Sequence, residues 1–424
     1  LANDCMNALD ANNESAAAMS PWRLVEFRLL LGGQLVSLFG DRVLALVLGI
    51  WVKELTGSSA LAGLVFFAYG LPVLAAPLTG WLVDRFSRRT VSITAQAAGA
   101  VYLLPLLLVG SASQVWIVFA VTICYGAGGA VFNAARGALL ADMLPAPVRP
   151  RANAIIVSSG QVMTIIGPLI GAGLYSWHGA TTVILIDIAS FALSAALLWF
   201  LPEPDREAPP SQNLFTESLA GLRFLLSTTV MLRTSLALAI LFAAIGVFEP
   251  VIFQVVTLGL DKPAAFVSVL LFTQGIGAAV LGALTGRLVG RLGPLAAMKM
   301  AAAGCAASTI LFAVPSTPVV VFACIALGGA FALLSVSVMT YLQDVAPSAQ
   351  RGRVMAAANM LMMLPQTLFI AIGSGLVAAA PFRAIILGMT CAAAAAFLVA
   401  PRRQSFAPSD TDPSLQRPGS DVTH

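Results

Sequence analysis

The sequence predicts an all-α polytopic membrane protein, with twelve transmembrane helices arranged as two six-helix pseudo-repeats. Three observations carry this prediction. The 424 residues are 59% hydrophobic and 10% charged, with a mean hydropathy of +0.91, against roughly 25% charged in an ordinary soluble domain. Apolar runs of about 20 residues, the length that crosses a bilayer, recur along nearly the whole chain. The basic residues gather on alternate loops. This composition excludes a soluble fold and leaves no room for an extramembrane catalytic domain.

Taken in order, residues 1–22 are polar and without periodicity, and read as a disordered cytoplasmic leader. Spans follow at 29–52, 60–83, 90–110, 114–138, 153–176, 180–201, 234–257, 264–286, 296–314, 318–342, 354–379 and 383–400. The first is too long for a signal-peptide core and carries Asp41 and Arg42, so it reads as a retained helix. Two uncharged runs, Thr90–Ala135 and Met300–Gln343, exceed one helix; they break at Gly110-Ser111-Ala112-Ser113 and Pro315-Ser316-Thr317-Pro318 into hairpins. A proline-bearing stretch, 202–233, is read as a cytoplasmic linker between an N-terminal bundle (23–201) and a C-terminal bundle (234–401). Residues 402–424 read as a disordered cytoplasmic tail.

Orientation follows from the 23 Lys and Arg. With the N-terminus inside, eighteen fall on inner loops and ends, and only Lys53, Lys262 and Arg383 fall outside; Arg42 lies in a span and Arg417 in the tail. Such a positive-inside bias supports an even number of spans with both termini cytoplasmic. The halves also repeat. Asp142, Pro145, Arg149 and Arg151 recur 202 residues later as Asp344, Pro347, Arg351 and Arg353, and Gly80 and Arg85 recur at an offset of 206 as Gly286 and Arg291. Parallel six-helix repeats joined by a cytoplasmic loop belong to transporters that rock about a midplane site.

Several chemistries are excluded. Five cysteines without C-x-x-C spacing give no disulfide framework or zinc site, and two histidines, His178 and His424, give no His-based metal or acid–base centre. No phosphate-binding G-x-x-x-x-G-K-S/T loop is present, so ATP is not the driver. Neither a cofactor nor a metal is expected, and nucleic acid is not an expected partner.

Charges within spans are the informative residues, because each costs about 2.5–3.5 kcal/mol at a helix centre. Asp41 lies midway along the first span, and Gln34, Ser37 and Asp41 follow i, i+3, i+7 spacing, one polar stripe expected to face a central cavity. A carboxylate there can load and release a proton as its access to water changes; alternatively Asp41 or the adjacent Arg42 forms an ion pair that fixes the helix. Glu249, before Pro250 in the seventh span, suits a proton or a cationic substrate, or reaches outer water. Asp187, in the sixth, is expected to be structural or interfacial, with proton coupling or substrate binding as the alternative. In the eleventh, Asn359, Met362, Met363 and Gln366 are cavity candidates, since flexible thioethers suit apolar ligands, with plain helix packing as the alternative.

At the repeated loops the sequence resembles the major facilitator superfamily. Gly80-Trp-Leu-Val-Asp84-Arg85-Phe-Ser-Arg88-Arg89 resembles that family's loop 2–3 motif, G-x-L-x-D-R-x-G-R-R, with Ser87 where Gly is usual. Its second copy, Gly286 to Gly293, has Gly290 in place of the acid. Phe39-Gly-Asp41-Arg42, Glu54-Leu-Thr-Gly-Ser58 and Phe132-x-Ala-Ala-Arg136 resemble the proton-coupled drug exporter branch that includes macrolide-efflux and enterobactin-exporter-like proteins. Ser158, eight residues, then Gly167-Pro168-Leu-Ile-Gly171-Ala172 resembles the antiporter motif G-x8-G-P-x-x-G-G. The resemblance implies an inner gate in which Asp84 caps a facing helix and pairs across the halves, supported by Gly80, Arg85, Arg88 and Arg89. Arg136 is expected to pair with Asp84 or Asp142, or to reach lipid headgroups.

The expectation is a monomeric secondary transporter of the bacterial inner membrane, exporting a hydrophobic or amphipathic small molecule, a drug or a siderophore-like metabolite, by proton antiport through alternating access. An uptake or facilitated-diffusion carrier, or a non-transporting sensor or scaffold, remains as an alternative. A membrane-embedded enzyme would need a catalytic cluster of polar groups that this sequence lacks.

Overall fold

Inside a bilayer every backbone N–H and C=O must be satisfied within the segment, which long helices alone achieve without a closed sheet. The computed structural model describes residues 20–72, 79, 82–83, 85–203, 222–347 and 351–401, and among them there is no strand. The helices are α1 (Val25–Thr56), α2 (Ser59–Gly70), α3 (Arg88–Tyr102), α4 (Val115–Met143), a 51-residue stretch Arg149–Trp199, α7 (Thr229–Gln254), α8 (Val267–Leu292), α9 (Pro294–Leu311), α10 (Thr317–Val345), α11 (Arg351–Ala379) and α12 (Phe382–Val399). Gly179 interrupts the long stretch with φ 76 and ψ −178, a conformation that only glycine holds cheaply. It is therefore two spans, α5 (149–178) and α6 (180–199).

Among the described residues, ten helices are long and apolar enough to cross a membrane. Counting α5 and α6 separately and adding the shorter apolar α2 accounts for the twelve predicted spans. Residues 1–19, 204–221 and 402–424, the sites of most of the expected leader, linker and tail, lie outside the described residues.

Some boundaries differ from expectation. After Tyr102, α3 gives way to a 3-10 segment, Leu104–Leu108, because Pro105 brings no N–H to the helix. α7 begins at Thr229 rather than 234, with the Thr228 hydroxyl accepting the Met231 N–H at 3.3 Å. The α1–α2 turn is tightly closed: the Gly57 N–H reaches the Lys53 carbonyl at 2.8 Å, and Lys53 Nζ donates to the Gly57 carbonyl and Ser59 Oγ at 2.7 and 2.9 Å.

In the first half, α1 packs along α5 and α6, and α3 along α4; in the second, α7 packs on α11 and α12, and α10 on α8 and α9. Lipid tails supply no hydrophobic drive between helices, so small residues that let backbones approach do this work. The α8–α10 contact is the tightest example, with Gly277 against the Ile325 carbonyl and Gly328 against the Gln274 carbonyl. Between the halves, α2 meets α7 and α11, while α8 meets α5. Gly63 lies on Pro250 and Ser374, Gly70 on Thr367, and the Phe66 and Phe253 rings are 6.2 Å apart. These contacts close the seam on the side of the α1–α2 and α7–α8 turns.

Gly328→Ala should cost about 1–3 kcal/mol, because its Cβ overlaps backbone that has no room to yield. Gly375→Ala, with open space at the same atom, should be neutral or stabilising. Thermal unfolding of the two variants in detergent separates these outcomes, and equal melting would contradict the packing described.

Candidate functional site

The polar stripe of α1 is buried against its own half rather than turned to a central cavity as expected. Gln34 and Ser37 are buried, and Ser37 Oγ donates to Gln96 Oε1 of α3 at 3.3 Å. Gln96 Nε2 in turn donates to Ser194 Oγ of α6 at 2.9 Å. The physical reason lies one residue away on α1: Gly33 rests on the Ser194 carbonyl and hydroxyl, and Gly40 on the Asp187 carboxyl and the Ser190 hydroxyl. Glycine at both places lets α6 approach α1, and Gln96 of α3 then links Ser37 of α1 to Ser194 of α6.

One turn further along α1, Asp41 is half-buried and accepts a hydrogen bond from the Tyr125 hydroxyl of α4 at 2.9 Å. Asp187 is fully buried; Ser190 Oγ donates to its Oδ1 at 3.0 Å, while Oδ2 has no partner. The structure thus brings Asp187 into the neighbourhood of Asp41 and Tyr125. Tyr69, Tyr102 and Phe191 surround Tyr125, with ring centroids 5.4, 6.5 and 6.0 Å from it. Sequence reasoning missed Tyr125, Tyr102 and Gln96. A usable signal existed: buried tyrosines need a hydroxyl partner, and four of the chain's five tyrosines lie before residue 176.

Arg42 is half-buried, with its Nε enclosed and unpartnered. The α5 motif packs on this same turn of α1: Gly167 lies against the Arg42 Cβ, Gly171 against the Val43 carbonyl, and Pro168 is buried between them. Any larger residue at Gly167 or Gly171 would push α5 off the charged turn.

Glu249 stands apart from this cluster. It lines a cavity of about 40 Å3 in the seam between halves, with Leu46, Phe66, Phe253 and Gln274 among the walls. The α11 candidates separate: Asn359 is exposed, Met362 is packed in the core, and Met363 and Gln366 are half-buried.

At the inner ends, Gly80 and Asp84 lie outside the described residues. Arg85 is exposed. Arg88 pairs with Asp142 of α4 and also donates to the Ala138 carbonyl at 3.3 Å. Arg89 donates to the Trp199 carbonyl and stacks over its ring at 5.7 Å. Both arginines therefore brace α3 against α4 and α6 of the same half. Asp142 is taken by Arg88 rather than by Arg136, whose Nε is buried without a partner. Among the described residues, no three His, Cys, Asp or Glu side chains gather as a metal site.

A family model described as Major Facilitator Superfamily matches residues 30–370. An uncharacterized MFS-type transporter, YfiS of Bacillus subtilis (strain 168), is 24% identical over 364 residues, covering 82% of this chain and 86% of that protein. Multidrug resistance protein MdtG of Yersinia enterocolitica is 28% identical, covering 58% of this chain and 59% of its own. A Na(+), Li(+), K(+)/H(+) antiporter of Planococcus maritimus is 25% identical over 37% of each chain. Among solved structures, the nucleoside transporter NupG superposes with a TM-score of 0.73 at 14% identity, covering 90% of this chain and all of that one.

Two tyrosines test the site. Tyr125→Phe keeps the ring contacts but removes the donor to Asp41, and should cost about 1–3 kcal/mol. Tyr102→Phe removes a buried hydroxyl that has no partner, and should be neutral or stabilising. Melting temperatures of the purified variants report the difference.

Proposed function

The chain belongs to the major facilitator superfamily and is a multi-pass membrane transporter of small molecules; on that premise we propose that it exports a hydrophobic or amphipathic compound in exchange for protons. The observation that carries the reading is Asp41, an acid in the middle of an apolar span, bound by Tyr125 and followed by the two residues, Arg42 and Val43, on which Gly167 and Gly171 of α5 pack. Proton loading changes the charge at this point, where α1, α4 and α5 converge. A drug-resistance relative and a cation/proton antiporter relative support export and proton coupling respectively. The compound would leave the cell through alternating access, with the seam between α2, α7 and α11 as the outer closure. One proton moving down 100 mV supplies about 2.3 kcal/mol, enough for a modest gradient of a neutral or cationic substrate.

The proposal places Asp41 as the proton-coupling carboxylate, with Asp187 and Tyr125 in its immediate surroundings, and Glu249 as a second acid at the seam. It also places the chain in the bacterial inner membrane with both termini in the cytoplasm, from the distribution of Lys and Arg.

Accumulation of a fluorescent amphipathic cation in a pump-deficient bacterial host tests this. Expression should lower accumulation, a protonophore should restore it, and Asp41→Asn at equal membrane abundance should behave as cells without the protein. Raised accumulation would identify an uptake carrier. Export that survives both the protonophore and Asp41→Asn would remove proton antiport.

A further inference from the structure

On the periphery of the second half, α8, α9 and α10 enclose an apolar groove of about 560 Å3. α9 packs on α10 and α12 as an outer helix, so a groove opening beside it faces the bilayer. Small residues hollow it out, with Ala301 and Gly304 on α9 and Ala326, Gly329 and Ala330 on α10. Leu281, Leu284 and Met300 form its walls and are exposed.

Two arginines sit at one end. Arg287 and Arg291 line the groove one helical turn apart near the end of α8, and neither makes an ion pair among the described residues. Their charge is surplus for a reason visible in the sequence. In the first-half motif Asp84 precedes Arg85, whereas in this copy Gly290 stands before Arg291, so the motif supplies no acid here. The positive-inside distribution places this end at the cytoplasmic surface. From Leu281 to Arg291 is ten residues, about 15 Å at 1.5 Å per residue. That is half of a hydrocarbon core of about 30 Å, which is the depth of one leaflet.

We propose that this groove binds an anionic phospholipid of the adjacent leaflet, with the headgroup phosphate on Arg287 and Arg291 and an acyl chain along the trench between α8, α9 and α10. The charge answers the unpaired guanidinium groups, the apolar walls answer the chain, and the length answers the leaflet. Basic pockets between spans on the cytoplasmic side take lipid headgroups in this way. The site is independent of the export reading, because binding is measured without transport.

The test uses the full chain in detergent, titrated with phosphatidylglycerol, phosphatidylcholine and diacylglycerol of identical chains, with bound lipid counted by native mass spectrometry. Phosphatidylglycerol should bind tightest. The double variant Arg287→Gln, Arg291→Gln should weaken it roughly thirtyfold, from about 1 kcal/mol per arginine, and leave diacylglycerol unchanged. Ala326→Leu, which narrows the groove, should weaken all three lipids. Equal binding of phosphatidylglycerol and phosphatidylcholine that ignores the arginine variant would overturn the proposal. So would glycerol phosphate alone competing as well as the whole lipid, or a second copy of the chain covering the groove in cross-linking.

Discussion

A charge in hydrocarbon costs about 2.5–3.5 kcal/mol at a helix centre, and the first six helices are arranged around the turn of α1 that accepts this cost. Asp41 and Arg42 stand side by side there. α4 supplies the Tyr125 hydroxyl, α6 brings Asp187 and Ser190 against Gly40, and α5 lays Gly167 and Gly171 on Arg42 and Val43. A turn and two turns away, Ser37, Gln96 and Ser194 continue the polar contact through α3. α3 and α4 present polar groups that bond α1, α5 presents glycines that let it approach, and α6 is admitted by Gly33 and Gly40 of α1 itself. The order of packing in this half therefore follows from where α1 carries its charge.

The transmembrane helices were legible because a bilayer imposes a length and an apolar composition that leave few readings. The break at Gly179 falls within the expected gap between spans five and six, and the hairpin turns fall at the predicted Gly/Ser and Pro/Ser clusters. The site was legible only in part. Periodicity put Gln34, Ser37 and Asp41 on one face, but it says nothing of which neighbour that face meets; Gly33 and Gly40, read together with it, point to close packing instead of a cavity. Tyr125 and Asp187 lie 84 and 146 residues from Asp41, so their meeting depends on how α4 and α6 wind about α1, which no local pattern encodes. Asp142 was likewise recognisable as a charged partner at the end of α4, yet its choice of Arg88 follows from α3 packing along α4.

The two halves share a repeat but not a chemistry. In the first, acids, tyrosines and amides are knitted between helices. In the second, the described interior is dominated by aliphatic packing, with Glu249 placed at the seam rather than within the bundle. The loop copies diverge in the same sense, since Arg88 is neutralised by Asp142 while Arg287 and Arg291 keep unpaired charge at the bilayer surface. A duplicated scaffold has kept its packing in both copies while the polar machinery has concentrated in one.

Under the proposed antiport, proton loading at Asp41 moves a substrate only when the change reaches the seam, and α5 offers a short physical route. Gly167 touches the Arg42 Cβ, and Ile165, two residues away on the same helix, packs on Gly275 of α8 in the other half. A helix is stiff along its axis, so a displacement of α1 at Arg42 is delivered to α8 within a single turn of α5. Gly167 brings the α5 backbone directly against the Arg42 Cβ, and Gly275 lets the β-branched Ile165 side chain rest on the α8 backbone. Coupling of this kind requires two discrete packings of α5 rather than a continuous path of contacts. Pro168, next to Gly167, removes an N–H from the α5 ladder beside the two contacts, and there the helix has the backbone freedom to adopt them.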